Sequence, residues 1–258
     1  MGPRLSIGYA SDTGQVRENN EDSLLTFYSD VMNENNRPAF GVFAVADGMG
    51  GHQNGEKASA IATETIVEGV LRRVFLHLFT DNGDGAYQPP VLETLEDAIT
   101  DANTQIVKKV PEAGTTITAT VIVGNLAYFG HVGDSRAYLI KNGEIEQITE
   151  DHTFVNRLVK IGTMTKEEAE NSGEGHRIYR ALGLEAKVEV DTITRRFRQG
   201  TLLLCSDGLS GMMSDDDMLE IVDSTEDPQR ACDMLVALAN ENGGHDNITV
   251  IVIKMVND

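Results

Sequence analysis

Apolar positions recur along this chain with two different periods, and the period switches several times. Leu5 to Ala10 alternates weakly and predicts a first strand. Ser23 to Tyr28 predicts a second, and Ala39 to Ala46 a third, after a polar loop at Asn33–Pro38. From Asn54 the spacing changes to three and four. Ala58, Ile61, Ala62, Thr65, Ile66, Gly69, Val70 and Val74 share one stripe, which predicts an amphipathic helix capped by Asn54 with Glu56 in its first turn. A Gly/Asp/Pro-containing loop, Thr80–Pro90, precedes a second helix over Val91–Val110, with Leu92, Leu95, Ala98, Ile99, Ala102, Ile106 and Val107 on one side.

A strand meander follows. Thr115–Val123 is rich in β-branched residues, Gly124-Asn125 turns, and Leu126–Val132 returns. Ser135–Ile140 and Ile145–Ile148 flank Asn142-Gly143, a two-residue hairpin signal. Thr153–Ala181 is polar and less regular, with two short helices expected. Val188–Phe197 and Thr201–Ser206 read as strands, Asp215–Val222 and Pro228–Asn240 as helices, and Ile248–Val256 as the last strand. Hairpins dominate, so the sheets should be largely antiparallel. The order of elements implies an α+β layering, with helices on the outer faces of packed sheets. No tandem repeat, low-complexity tract or linker interrupts it, so residues 1–258 are expected to form one domain.

Charge narrows the function classes. A formal net charge of −20 disfavours a protein that holds nucleic acid by its phosphates; it fits a solvated surface and carboxylates neutralised by bound cations. Cys205 lies in an apolar strand and Cys232 in a helical pattern; two cysteines make neither a disulfide framework nor a zinc site, and both should be buried thiols. A reducing cytoplasm fits. No apolar run approaches the length of a membrane span, and the start lacks a signal-peptide core, so no membrane is expected. The opening Met1-Gly2-Pro3-Arg4-Leu5-Ser6 matches a myristoylation pattern only superficially, because Pro3 is ill suited to it.

The candidate chemistry sits where apolar strands break into acid and glycine. Phe43-Ala44-Val45-Ala46 runs into Asp47-Gly48-Met49-Gly50-Gly51-His52. The Asp47 carboxylate and the Gly48 carbonyl are hard oxygen donors suited to Mg²⁺ or Mn²⁺. Alone, an Asp-Gly step is more often only a turn. The ending recurs, however, in Leu204-Cys205-Ser206-Asp207-Gly208, and further acids lie in Gly244-His245-Asp246-Asn247 and Gly133-Asp134-Ser135-Arg136. Four glycine-flanked aspartates at strand ends exceed what turns require; a two-metal site needs such carboxylates from distant segments. Asp215-Asp216-Asp217, by contrast, follows Ser214 at a helix start, where capping explains it. His77 and His131 sit in apolar patterns and read as core or rim residues.

Taken in order, these motifs resemble those of the metal-dependent type 2C serine/threonine protein phosphatases in their compact bacterial form. The resemblance spans nearly the whole chain: Ser11-Asp12-Thr13-Gly14 with Arg17 and Asn20-Glu21-Asp22; Asp47-Gly48-Met49-Gly50-Gly51-His52; Gly133-Asp134-Ser135-Arg136; Thr149-Glu150-Asp151-His152; Arg180-Ala181-Leu182-Gly183; Cys205-Ser206-Asp207-Gly208-Leu209; and Gly244-His245-Asp246-Asn247. It implies a four-layer αββα sandwich. It also implies a catalytic set of Arg17, Asp47, Asp207 and Asp246 around two Mn²⁺ or Mg²⁺ ions. Asp47 would bridge the ions with the Gly48 carbonyl on one; Asp207 and Asp246 would complete the other. Asp134, with Asp207, would hold a weaker third ion. Glu21 and Asp22 would orient water, and Arg17 would grip the substrate phosphate as a planar, permanently charged fork.

Two departures from the family pattern stand out. Met49 occupies the position where some relatives carry a His proposed as the general acid; His52 is nearby but reads as a structural histidine. In the flap, Ser172-Gly173-Glu174-Gly175-His176-Arg177 replaces the segment of many bacterial relatives, and His176 is not expected to contact the third ion. The implied activity is hydrolysis of phosphoserine and phosphothreonine in proteins, a cognate serine/threonine kinase among them, by a monomer. A non-catalytic phosphoprotein-binding relative is the runner-up, disfavoured because every expected acid and Arg17 are present. A metal nuclease is the third class, and no basic stripe supports it.

Overall fold

The computed structural model describes residues 4–29, 39–50, 54–80, 90–165, 168–169, 173 and 177–256. Its strands are β1 (Arg4–Asp12), β2 (Ser23–Ser29), β3 (Phe40–Ala46), β4 (Gly48–Met49), β5 (Gly114–Thr115), β6 (Ile117–Val123), β7 (Leu126–Val132), β8 (Arg136–Lys141), β9 (Glu144–Gln147), β10 (Asp191–Arg196), β11 (Thr201–Cys205) and β12 (Ile248–Val256). The helices are α1 (Asn54–Val70), α2 (Leu76–Thr80), α3 (Val91–Lys109), α4 (Phe154–Lys160), α5 (Asp207–Ser210), α6 (Asp215–Ser224) and α7 (Pro228–Glu241). One five-stranded sheet runs β1-β12-β11-β8-β9 and the other β10-β7-β6-β3-β2, every pairing antiparallel; β4 and β5 form a separate ribbon.

Three apolar cores produce the four layers. Phe43, Val45, Phe129, Leu202, Leu204, Ile251 and Ile253 fill the space between the sheets. On the outer side of one sheet, Ala58, Ala62 and Ile66 of α1 and Leu95, Ile99 and Ile106 of α3 pack on Val42, Ala44, Ala119 and Val121. On the other, Met218 and Val222 of α6 and Cys232 and Leu235 of α7 pack on Leu203, Cys205, Val250 and Val252. Alternation along β3, β6, β11 and β12 sends neighbouring side chains to opposite cores, which is why these strands are apolar on both faces. The expected α+β sandwich of two antiparallel sheets is the observed fold.

Asn142-Gly143 turns with both residues at positive φ, 56° and 75°, as a tight hairpin requires. Ser214 caps α6 in a reciprocal box with Asp217, so the Asp215–Asp217 run is capping chemistry as expected. One expectation needs correction. The strand over Thr115–Val123 is two strands, because Thr116 leaves the ladder to bond the Asp47 backbone. The helix expected from Asn54 through Val74 is observed, passing after Val70 through a π-turn, Leu71–Phe75, into α2. After Ser206 the chain enters the short helix α5. Of the two helices expected between Thr153 and Ala181, α4 is observed; most of the place for the second lies outside the described residues, as do His52, His176 and the 81–89 part of the loop.

Candidate active site

A cleft of about 570 Å³ opens where the ends of the two sheets meet, and Arg17, Glu21, Asp47, Gly48, Asp134, Asp207 and Asp246 all line it. The topology explains the convergence. Asp47 leaves β3 of one sheet, and Asp134 joins β7 of that sheet to β8 of the other. Asp207 leaves β11 and Asp246 enters β12; these strands are neighbours, with Cys205 opposite Val250. Asp22 stands behind the lining. Ser206 Oγ donates to its Oδ2 at 2.8 Å, while its Oδ1 is buried with no hydrogen-bond partner among the described residues.

Glycine after Asp47 and after Asp207 answers to close packing. A Cβ on Gly48 would collide with the carbonyls of Gly55 and Glu21, and one on Gly208 with the carbonyl of Asn247. The Asp47 backbone is pinned on both sides: its N–H donates to Thr116 Oγ1 at 2.9 Å, and its carbonyl accepts from Thr116 N and Thr115 Oγ1, each at 2.9 Å. Thr116 Oγ1 also meets Ser135 Oγ at 2.6 Å, tying the Asp47 loop to the Asp134 loop. Asn247 does the same for the first loop; its Oδ1 accepts from Glu21 N at 2.8 Å, and its Nδ2 donates to the carbonyls of Thr13 and Asn19, each at 2.9 Å. Thr116 and Asn247 line the cleft with Ile178, and none of the three was singled out from the sequence as a site residue. Asn247 was legible as a polar residue inside the last Asp motif; Thr116 was hidden in a run of β-branched residues.

Arg17 was expected to await a phosphate. Its Nη2 instead donates to Asp246 Oδ2 at 2.7 Å, with Arg17 53% and Asp246 34% exposed. The pair sits at the mouth of the cleft, and Asp246, rather than Glu18 or Glu21, is the carboxylate with which Arg17 pairs.

The electrostatics of the deeper acids is mutual repulsion under burial. The Asp47 carboxyl is held well above the ordinary carboxylate range, first by burial and then by Asp22, Asp207 and Asp134; protonated, it shares a hydrogen bond with Asp207. Burial pushes Asp22 up to about 7 despite the hydrogen bond from Ser206, with Asp207 and Asp246 adding to the rise. Asp134 reaches about 7 through burial and then Asp207 and Asp151. Glu21 is raised chiefly by burial. Such a set is costly without positive charge. Among the described residues, no three His, Cys, Asp or Glu side chains already close on a single point, so the acids line a shared cleft rather than a finished cage. Their chemistry nevertheless fits divalent Mn²⁺ or Mg²⁺: the donors are all oxygen, their repulsion needs a cation, and Asp22 Oδ1 lacks a partner among the described residues. Cys205 fits no such role, because burial pushes its thiol up to about 12.

Comparison with known proteins gives the same direction. The family model for protein phosphatase 2C matches residues 17–243. The chain is 35% identical to the serine/threonine phosphatase Stp of Listeria monocytogenes over 247 residues, covering 95% of this chain and 94% of the relative. It is 39% identical to the serine/threonine protein phosphatase PstP of Mycobacterium tuberculosis over 261 residues, covering 98% of this chain and 46% of that longer protein. A crystal structure of the PstP catalytic domain in complex with two manganese ions superposes with a TM-score of 0.76 at 36% identity, covering 98% of this chain and all of that one.

Proposed function

The chain belongs to the protein phosphatase 2C family, a metal-dependent serine/threonine protein phosphatase, and we propose that its acidic cleft is a binuclear Mn²⁺ or Mg²⁺ centre with a weaker third site. The observation that carries this reading is the mutually repelling set of buried Asp134 and half-buried Asp22, Asp47 and Asp207 at the meeting of the two sheets. Asp47 and the Gly48 carbonyl, Asp207 and Asp246 hold the core ions; Asp134 with Asp207 holds the third. When bound, the ions supply positive charge for a phosphomonoester dianion and acidify water to near-neutral pKa.

The protein's own groups do the rest. Thr115 and Thr116 fix the backbone that aims Asp47. Asp22 Oδ1 and Glu21 orient water at the rear and rim of the cleft. Arg17 exchanges Asp246 for two phosphate oxygens of the incoming phosphoresidue and holds them with its planar fork. Neither Met49 nor Cys205 takes part in proton transfer or attack. Residues 1–258 act as one catalytic domain, supported by the pairing of β1 with β12 across the chain's ends. The substrates are phosphoserine and phosphothreonine proteins, with a cognate kinase among them. Two buried free thiols fit a reducing cytoplasm, where the protein acts as a monomer.

Calorimetric titration of metal-stripped protein with Mn²⁺ tests the ligand set. Asp47→Asn should abolish both tight binding steps while the fold persists by circular dichroism. A variant that keeps two tight ions would remove Asp47 from the ligand set.

A further inference from the structure

We propose that His152 is a positioning residue that clamps the Asp134 loop to the opposite wall of the cleft and thereby sets the affinity of the weakest cation. The inference rests on the reading above, in which Asp134 contributes a ligand. His152 is 2% exposed and does not line the cleft, so it acts through its neighbours.

The clamp has two halves. On one side His152 grips both faces of Gly133, the residue before Asp134. Its backbone N–H donates to the Gly133 carbonyl at 2.8 Å, and its ring Nδ1 accepts from the Gly133 N–H at 3.0 Å. Gly133 has a φ of 116°, and a Cβ there would meet Thr116 at 2.6 Å, so this peptide has little room to find another arrangement.

On the other side the same imidazole reaches the segment that carries Ile178. Because Nδ1 accepts, the proton of the neutral ring sits on Nε2, which donates to Asp191 Oδ2 at 3.2 Å. Arg180 Nη1 donates to Asp191 Oδ1 at 2.7 Å, so one carboxylate takes both donors and holds Arg180 and His152 together. The His152 carbonyl accepts from Tyr179 N at 2.8 Å, and Thr153 bridges to Ile178. Asp134 and Ile178, both in the cleft lining, are therefore joined through a single buried residue. The Thr149-Glu150-Asp151-His152 motif, to which the metal and phosphate roles give no task, acquires one.

Asn and Gln separate the two halves. In His152→Asn the amide oxygen takes the place of Nδ1 and can still accept from Gly133, but it no longer reaches Asp191. In His152→Gln the amide reaches toward Asp191 and leaves the Gly133 N–H bare. Calorimetric Mn²⁺ titration of the metal-stripped full chain should show the weakest step weakened about ten- to a hundredfold in His152→Gln, as for other orienting partners of metal ligands. The tighter steps should be unchanged, and His152→Asn, which keeps the Gly133 half but gives up Asp191, should weaken the weakest step only several-fold. Asp191→Asn, at a more exposed position, should weaken that step several-fold. An unchanged weak step in His152→Gln and Asp191→Asn would overturn the proposal, as would losses in all steps that follow melting temperature alone. If Asp134→Asn itself leaves Mn²⁺ binding intact, the ligand reading fails; Gly133 amide exchange then decides the clamp. Protection retained in His152→Asn and lost in His152→Gln supports it, and equal protection in both overturns it.

Discussion

Arg17 Nη2 lies 2.7 Å from Asp246 Oδ2 at the mouth of the cleft, so the proposed phosphate clamp and a proposed metal ligand share one ion pair. An exposed pair of this kind is worth under about 1 kcal/mol, which a phosphate dianion can displace. Arg17→Ala should therefore leave the melting temperature nearly unchanged and Mn²⁺ binding no weaker. It should raise KM on a phosphothreonine peptide and lower kcat/KM by about ten- to a hundredfold, the loss of a charge-assisted contact of roughly 1.5–3 kcal/mol. Arg17→Lys should recover only part. Wild-type kcat/KM in Arg17→Ala would reduce the residue to a surface ion pair.

Asp47→Asn should stabilise the metal-free protein while it abolishes turnover. The substitution supplies a neutral side chain where Asp47 must take up a proton to escape the repelling set, and its amide can donate to Asp207 as protonated Asp47 does. Each kcal/mol of repulsion relieved should raise the melting temperature by about 2–4 °C for a chain of this size. Mn²⁺ should raise the wild-type midpoint strongly and that of the variant little. A metal-free midpoint lower than wild type would show that the Asp47 carboxylate is compensated within the protein.

The stabilisation conferred by saturating Mn²⁺ should grow with pH between about 4 and 7. Asp22 and Asp134 have folded pKa values of about 7, above the ordinary carboxylate value near 4. In the metal-free protein they bind protons that the unfolded chain releases, so their contribution to stability is present below pH 4 and is lost as pH rises toward 7. Mn²⁺ removes that penalty and displaces the protons. His131, buried and lowered to about 4, has the opposite slope over the same window, but it contributes with and without metal and drops out of the difference. Thermal midpoints with Mn²⁺ and with chelator across this range decide the matter; a constant difference would separate these acids from the metal.

Cys205→Ser should cost about 1–3 kcal/mol by burying a hydroxyl within the core beneath α6 and α7. Turnover per folded molecule should persist. Loss of phosphate release from folded Cys205→Ser would point to a thiol nucleophile.

Most of the architecture was readable because both faces of the central strands are buried and the helices keep their apolar stripes. The acids were readable because each follows or precedes an apolar strand beside glycine. What local patterning missed depends on residues far apart in sequence. Thr116 breaks its strand only because Asp47 lies 2.9 Å away, and nothing near Thr116 announces that. Arg17 pairs with Asp246 across 229 positions, which no local spacing reveals. The helix at Asp207–Ser210 hid behind an Asp-Gly step that ordinarily means a turn.

The most direct test of the account is phosphate release from a phosphothreonine peptide by metal-stripped protein as free Mn²⁺ is raised from chelated to saturating. The account predicts no turnover in EDTA, recovery with Mn²⁺ in wild type, and none at any Mn²⁺ concentration in Asp47→Asn. Full turnover in EDTA, or recovery of Asp47→Asn to the wild-type rate, would contradict it.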